Sequence, residues 1–152
     1  KHERLEISKI ILAHVTDKNP RNNAGITVLH HAALYGNVEF CKLILDNVTD
    51  KNPMDSLGDT PLHYAAKEGY LQVCKLIVPQ VDEKNPRNNF GMTPLHCAAK
   101  QGNFGIIDYM KDFVGNMHPI DNLGKTPQDY AKQFCANLWK NPNRDAGICQ
   151  II

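Results

Sequence analysis

Apolar positions in this chain return in short bursts separated by polar, proline-containing stretches. The clearest burst runs from Thr60 to Gly69, T-P-L-H-Y-A-A-K-E-G. Leu62, Ala65 and Ala66 fall at i, i+3 and i+4 and make one helical stripe. Thr60 suits an N-cap, and Pro61 suits the first helical position, where a missing N–H costs nothing. Gly69 closes the helix as a left-handed cap. A second burst, Leu71 to Val78, turns Val73, Cys74, Leu76 and Ile77 inward, and Pro79 stops it. Helices of about eight to ten residues are too short to hold alone in water. Two small alanines on the first helix permit close approach of a neighbour, so stability has to come from stacking.

The pattern recurs. Thr27 opens T-V-L-H-H-A-A-L-Y-G, Thr93 opens T-P-L-H-C-A-A-K-Q-G, and Thr126 opens T-P-Q-D-Y-A-K, each 33 residues from the last. A period of this size marks a repeat architecture. Between the helix pairs lie Val15 to Gly25, Val48 to Gly58, Val81 to Gly91 and Val114 to Gly124. Each contains an X-Pro step and ends in a glycine, which reads as a loop with a tight turn. The motif G-x-T-P-L-H-x-A-A-x-x-G resembles the ankyrin repeat. The resemblance implies an all-α ankyrin-repeat solenoid of stacked helix-turn-helix units with projecting β-hairpin loops. It divides the chain into a partial N-terminal repeat at 1–19 (second helix only), repeats at 20–52, 53–85 and 86–118, an aberrant capping repeat at 119–140 and a tail at 141–152. Residues 3–13 align with 36–45, so the chain is expected to begin mid-repeat and leave a stacking face open to self-association. In the last repeat Gln128 replaces the apolar Leu, Asp129 the His, Lys132 the second Ala and Cys135 the Gly. A polar face suits an end cap, and without the Gly its helix is expected to run on toward Trp139.

Composition narrows the function classes. The net charge of +1 over 152 residues supplies no field to gather nucleic acid or anionic membrane. No apolar run approaches the ~20 residues that span a bilayer. Five cysteines, an odd number, include Cys41 and Cys74 one period apart in a small apolar slot. This argues against a disulfide framework and for a reducing, intracellular compartment, cytoplasmic or nuclear. Cys149-Gln150-Ile151-Ile152 superficially fits a prenylation box, but no polybasic run accompanies it.

The histidines are the first candidates for chemistry. His30, His63 and His96 lie one period apart, so in a stack they stand roughly 10 Å from one another. That is too far to share a metal ion, and the resembled family uses this His to brace the turn. Cys97 beside His96, and Cys135 near Asp129, lack the geometry of an activated thiol. No phosphate loop, dinucleotide fingerprint or zinc-protease motif occurs. No catalytic, cofactor or metal site is therefore expected, and the chain reads as a non-enzyme.

The variable surface carries what remains. In ankyrin-like proteins, loop tips and first-helix faces line a concave groove that holds a protein or peptide partner. The slot before each loop glycine contains Ala24, Leu57, Phe90 and Leu123, and the slot after it contains Ile26, Asp59, Met92 and Lys125. The two residues before the helix-ending glycine are Leu34-Tyr35, Lys67-Glu68 and Lys100-Gln101, with Gln133-Phe134 in the last repeat. The candidate partner-binding set is Ile26, Leu34, Tyr35, Leu57, Asp59, Lys67, Glu68, Phe90, Met92, Lys100, Gln101, Leu123 and Lys125. Two readings of the apolar ladder stay open: an interface, or packing of each loop on the next. The rival functions are a structural segment of a longer array (a channel's cytosolic part or a cytoskeletal anchor), an enzyme, and a prenylated adaptor.

Overall fold

The computed structural model describes residues 14–139. The expected partial helix at 3–13, the tail at 141–152 and the prenylation-like Cys149 lie outside these residues. Seven α-helices form among the described residues. They are α1 (Val28–Leu34), α2 (Val38–Leu45), α3 (Pro61–Glu68), α4 (Leu71–Ile77), α5 (Pro94–Gln101), α6 (Phe104–Met110) and α7 (Pro127–Trp139). A short 3-10 turn, Val78–Gln80, extends α4. The helices pair as α1/α2, α3/α4 and α5/α6. First helices stack in the order α1, α3, α5, α7, and second helices in the order α2, α4, α6. The fold is an all-helical repeat solenoid.

One hydrophobic core runs through the first three units because each presents the same small set of apolar residues to its neighbours, and a smaller cluster of Ala99, Tyr130 and Ala131 joins α5 to α7. Leu29, Leu62 and Leu95 are fully buried at the same slot of three first helices, and Ala65, Ala66 and Ala98 are fully buried beside them. On the second helices Cys41 and Cys74 share one buried slot, and Ile44, Ile77 and Met110 share another. The alanines remove bulk where first helices meet, so dispersion contacts reach between backbones.

Helix boundaries follow the expected chemistry. Thr27, Thr60 and Thr93 sit in extended geometry as N-caps. Gly69 and Gly102 end α3 and α5 at φ 84° and 74°. In the last unit Cys135 replaces that glycine, and α7 runs on for 13 residues, as the missing punctuation predicts.

The loops depart from the expected β-hairpins. Among the described residues no strand forms, and the sole β-bridge joins Arg21 and Thr27. Asx turns take the place of strand pairing. Asn22, Asp55, Asn88 and Asp121 each accept, through the side-chain oxygen, the N–H groups two and four residues on, at 2.8–3.0 Å. A side chain that closes the turn so tightly leaves no length over which a two-stranded ladder could grow. Neighbouring loops are tied by single backbone bonds: Ser56 N–H to Ala24 O (2.9 Å), Asn89 to Leu57 (2.9 Å) and Asn122 to Phe90 (3.0 Å).

Candidate functional site

The repeated histidines belong to the frame. In His63, Nδ1 accepts the Thr60 N–H (3.1 Å) and hydroxyl (3.0 Å), and Nε2 donates to the Met92 carbonyl of the next unit (3.1 Å). His30 does the same with Thr27 and the Asp59 carbonyl (3.0 Å), and His96 with Thr93 and the Lys125 carbonyl (3.0 Å). These contacts fix the neutral Nε2–H tautomer. Burial pushes all three imidazoles below their usual pKa, against the opposing pull of carbonyl acceptors and nearby aspartates. Asp129, in the same slot of α7, keeps the cap: its carboxylate accepts the Thr126 N–H (2.9 Å) and hydroxyl (2.8 Å). A carboxylate has no proton to send onward, so the cross-unit bond ends there. Among the described residues no group of histidine, cysteine and acidic side chains could hold a metal ion.

The cysteines are poor nucleophiles. Cys41, Cys74 and Cys97 are free thiols, and burial pushes each up to about 12.

The predicted partner-binding residues separate into frame and free surface. Ile26, Asp59, Met92 and Lys125 are half-buried. Their carbonyls close the turns, and those of Asp59, Met92 and Lys125 also receive the histidines. Leu57, Phe90 and Leu123 project from the loop tips, 48%, 55% and 76% exposed, so they do not bury one another. Lys67, Glu68, Lys100 and Gln101 are exposed at the ends of α3 and α5, and Leu34 is half-buried. Tyr35, 73% exposed, stacks on His31 with centroids 6.4 Å apart. Phe134, in the last repeat's equivalent slot, meets Phe104 edge-on at 6.0 Å.

One depression of about 450 Å³ gathers part of this set between the third and fourth loops and the C-terminal half of α5. It draws in Asp59, Lys67, Phe90, Met92, Lys100, Gln101 and Leu123, while Ile26, Leu34, Tyr35, Leu57, Glu68 and Lys125 lie outside it. Sequence reasoning missed four of its lining residues: Asn88, Asp121, Asn122 and Tyr130. A signal was present in the sequence, because an Asn or Asp recurs at 22, 55, 88 and 121. Cys97, considered from sequence as a thiol beside His96, also lines it. Its lining is mixed in charge, Lys67 and Lys100 standing with Asp59 and Asp121, while Lys125 lies just outside. The Lys100 and Lys125 ammonium groups approach the Tyr130 ring at 5.7 and 5.3 Å from its centroid. Asp59 accepts the Asn88 amide at 2.7 Å.

A stack of helix pairs at a 33-residue period, with a capping Thr and a bridging His in each unit, defines an ankyrin-type solenoid. A family model described as Ankyrin repeats (3 copies) matches residues 1–89, and one described as Ankyrin repeat matches residues 90–116. The chain belongs to the ankyrin-repeat family. A search of curated proteins found no match. Ankyrin repeats are in general protein–protein interaction modules and typically non-enzymatic. No helix among the described residues is long and apolar enough to cross a membrane.

Proposed function

We propose that this chain is an interaction scaffold that holds a protein or peptide partner in the concave groove between loop tips and first helices. The observation that carries the reading is the exposed ladder of Leu57, Phe90 and Leu123 at equal loop positions. Apolar side chains left in water at three successive units offer a continuous strip to a partner, and burying such area drives association. The repeat boundaries at 20–52, 53–85, 86–118 and 119–140 are part of the same proposal. So is the assignment as a non-enzyme, supported by thiols with pKa values near 12. An intracellular setting is favoured by the three free thiols.

The test is Phe90→Ala combined with Met92→Ala, read by partner pull-down and by a thermal melt. Lost capture with an unchanged melt supports the groove. Retained capture with a normal melt removes it.

A second reading, one segment of a longer array, is favoured by the outer side of α6. Ile107 is half-buried there, whereas Cys41 and Cys74 in the same slot are fully buried. Beside it, between α6 and α7, lies a depression of about 250 Å³ with an apolar lining that includes Phe104 and Ala131. Sedimentation that shows a concentration-dependent dimer would support an open stacking face, and a monomer at all concentrations would count against it.

A further inference from the structure

The concave face has a gap at Cys97. One period away on each side, the same slot holds Tyr64 and Tyr130. Each donates its hydroxyl to the Asx-turn aspartate nine residues earlier, Tyr64 to Asp55 at 2.8 Å and Tyr130 to Asp121 at 2.6 Å. Each ring also meets edge-on the histidine of the preceding unit, His30 at 5.4 Å and His96 at 6.0 Å. At the slot between them three things differ together. The side chain is Cys97, the Asx-turn residue is Asn88, and His63 has no ring against it among the described residues. A thiol fills far less space than a phenol, and the volume left over opens into the depression of about 450 Å³ that Cys97 lines.

The walls and floor of this notch are chemically specific. Phe90, Met92 and Leu123 supply apolar walls, and the floor contains the Asp59 carboxylate. Asp59 Oδ1 accepts the Asn88 amide at 2.7 Å and lies 4.0 Å from His63 Nε2, while Oδ2 accepts no hydrogen bond among the described residues. Lys67 and Lys100 stand on the rim with no carboxylate partner among the described residues.

We infer that this notch binds a tyrosine side chain carried by an extended, acidic segment of a partner protein. The inference rests on the groove reading above. The incoming ring takes the volume that Tyr64 and Tyr130 fill in the neighbouring units. Asn88 stands where Asp55 accepts the Tyr64 hydroxyl, and the incoming hydroxyl donates instead to Asp59, the carboxylate bonded to Asn88. Acidic residues on either side of the tyrosine meet Lys67 and Lys100, which supplies orientation and salt dependence. An aromatic anchor seated in a pocket and flanked by charged groups is the arrangement that concentrates binding energy in one residue.

The probe is a fluorescein-labelled peptide with one tyrosine flanked on each side by three glutamates, titrated into the whole chain by fluorescence anisotropy. Saturable binding is expected. It weakens about tenfold when phenylalanine replaces the tyrosine, since a hydrogen bond to a charged group is lost, and further with alanine. Cys97→Tyr fills the notch from within: the melting temperature stays or rises, and binding falls at least tenfold. Lys67→Glu with Lys100→Glu alters only exposed side chains and gives the same loss should the first variant fail to fold. No saturable binding overturns the inference. So does equal binding by the phenylalanine or alanine peptide, or binding that survives both variants. A partner whose capture is lost in the Phe90→Ala/Met92→Ala protein but kept by folded Cys97→Tyr leaves the groove standing and removes the notch.

Discussion

Acid should unfold this solenoid in a pH window set by its three bridging histidines. Each of His30, His63 and His96 is at most 1% exposed and holds a deprotonated Nδ1 between a threonine N–H and hydroxyl. A proton on that nitrogen would face two donors and lose both hydrogen bonds. The folded-state pKa values are accordingly depressed, with burial as the largest cause. A histidine in the unfolded chain titrates near 6.5. The stabilisation is therefore complete above pH ~6.5 and drains away as pH falls from there through the folded-state values, because the unfolded chain binds protons that the native chain refuses. At pH 5.5 each refused proton costs up to about 1.4 kcal/mol, and three cost up to about 4 kcal/mol. That is a large share of the ~5–15 kcal/mol a domain usually has. Urea denaturation followed by circular dichroism, repeated between pH 7.5 and 5.5, measures it. The slope should be positive and no steeper than three protons, and His63→Asn should reduce it by at most one. A flat profile through this window, or a slope that His63→Asn leaves unchanged, would refute the assignment of these histidines as neutral bridges.

Other outcomes follow from particular contacts. Gly102→Ala should destabilise by about 2 kcal/mol: φ of 74° costs an L-residue roughly 1–2 kcal/mol, and the new Cβ would collide with the Phe134 ring. A double-mutant cycle with Phe134→Ala, read by chemical denaturation, should return the part due to the collision. Tyr130→Phe removes the 2.6 Å bond to Asp121, leaves a buried carboxylate short of a donor and should cost about 1–3 kcal/mol in a thermal melt. Leu62→Ala, at a fully buried slot shared by three units, should cost ~2–5 kcal/mol. It should also unfold the stack in one transition, and two resolved transitions would show that the units are independent. Cys41 and Cys74, fully buried with thiols raised to about 12, should resist a thiol reagent at pH 8 until denaturant is added. Prompt labelling in native buffer would contradict their packing.

The periodic Thr, Leu, Ala and Gly positions predicted the helices, their caps and their stacking partners, because caps and apolar stripes are local consequences of residue type. The lengthened α7 was legible for the same reason, since Cys135 removes the glycine stop. Asn22, Asp55, Asn88 and Asp121 were overlooked, and with them the Asx turns that stand where β-hairpins were expected. A side-chain oxygen can close a turn or face solvent, and nothing in its immediate neighbours decides which. The exposed tips Leu57, Phe90 and Leu123 were legible as a ladder. Their failure to pack on one another was not, because it depends on the spacing that the helix stack imposes on the loops.

The candidate site shows the same division. The sequence alone determined that His30, His63 and His96 recur too far apart to share a reaction centre, and that any partner must be met by residues the repeat leaves variable. It also contained the substitution at Cys97, but as one occupant of a varied slot. Only the tertiary structure decided that this slot faces the groove, that its neighbours are filled by tyrosines bonded to Asp55 and Asp121, and that the missing ring leaves a notch beside Asp59 and two lysines without a carboxylate partner among the described residues. The physical reason is that helix-forming and capping preferences act over a few residues of chain. A cavity is defined by side chains 30 or more positions apart, such as Asp59 and Leu123, which only the stacking of whole units brings to one place.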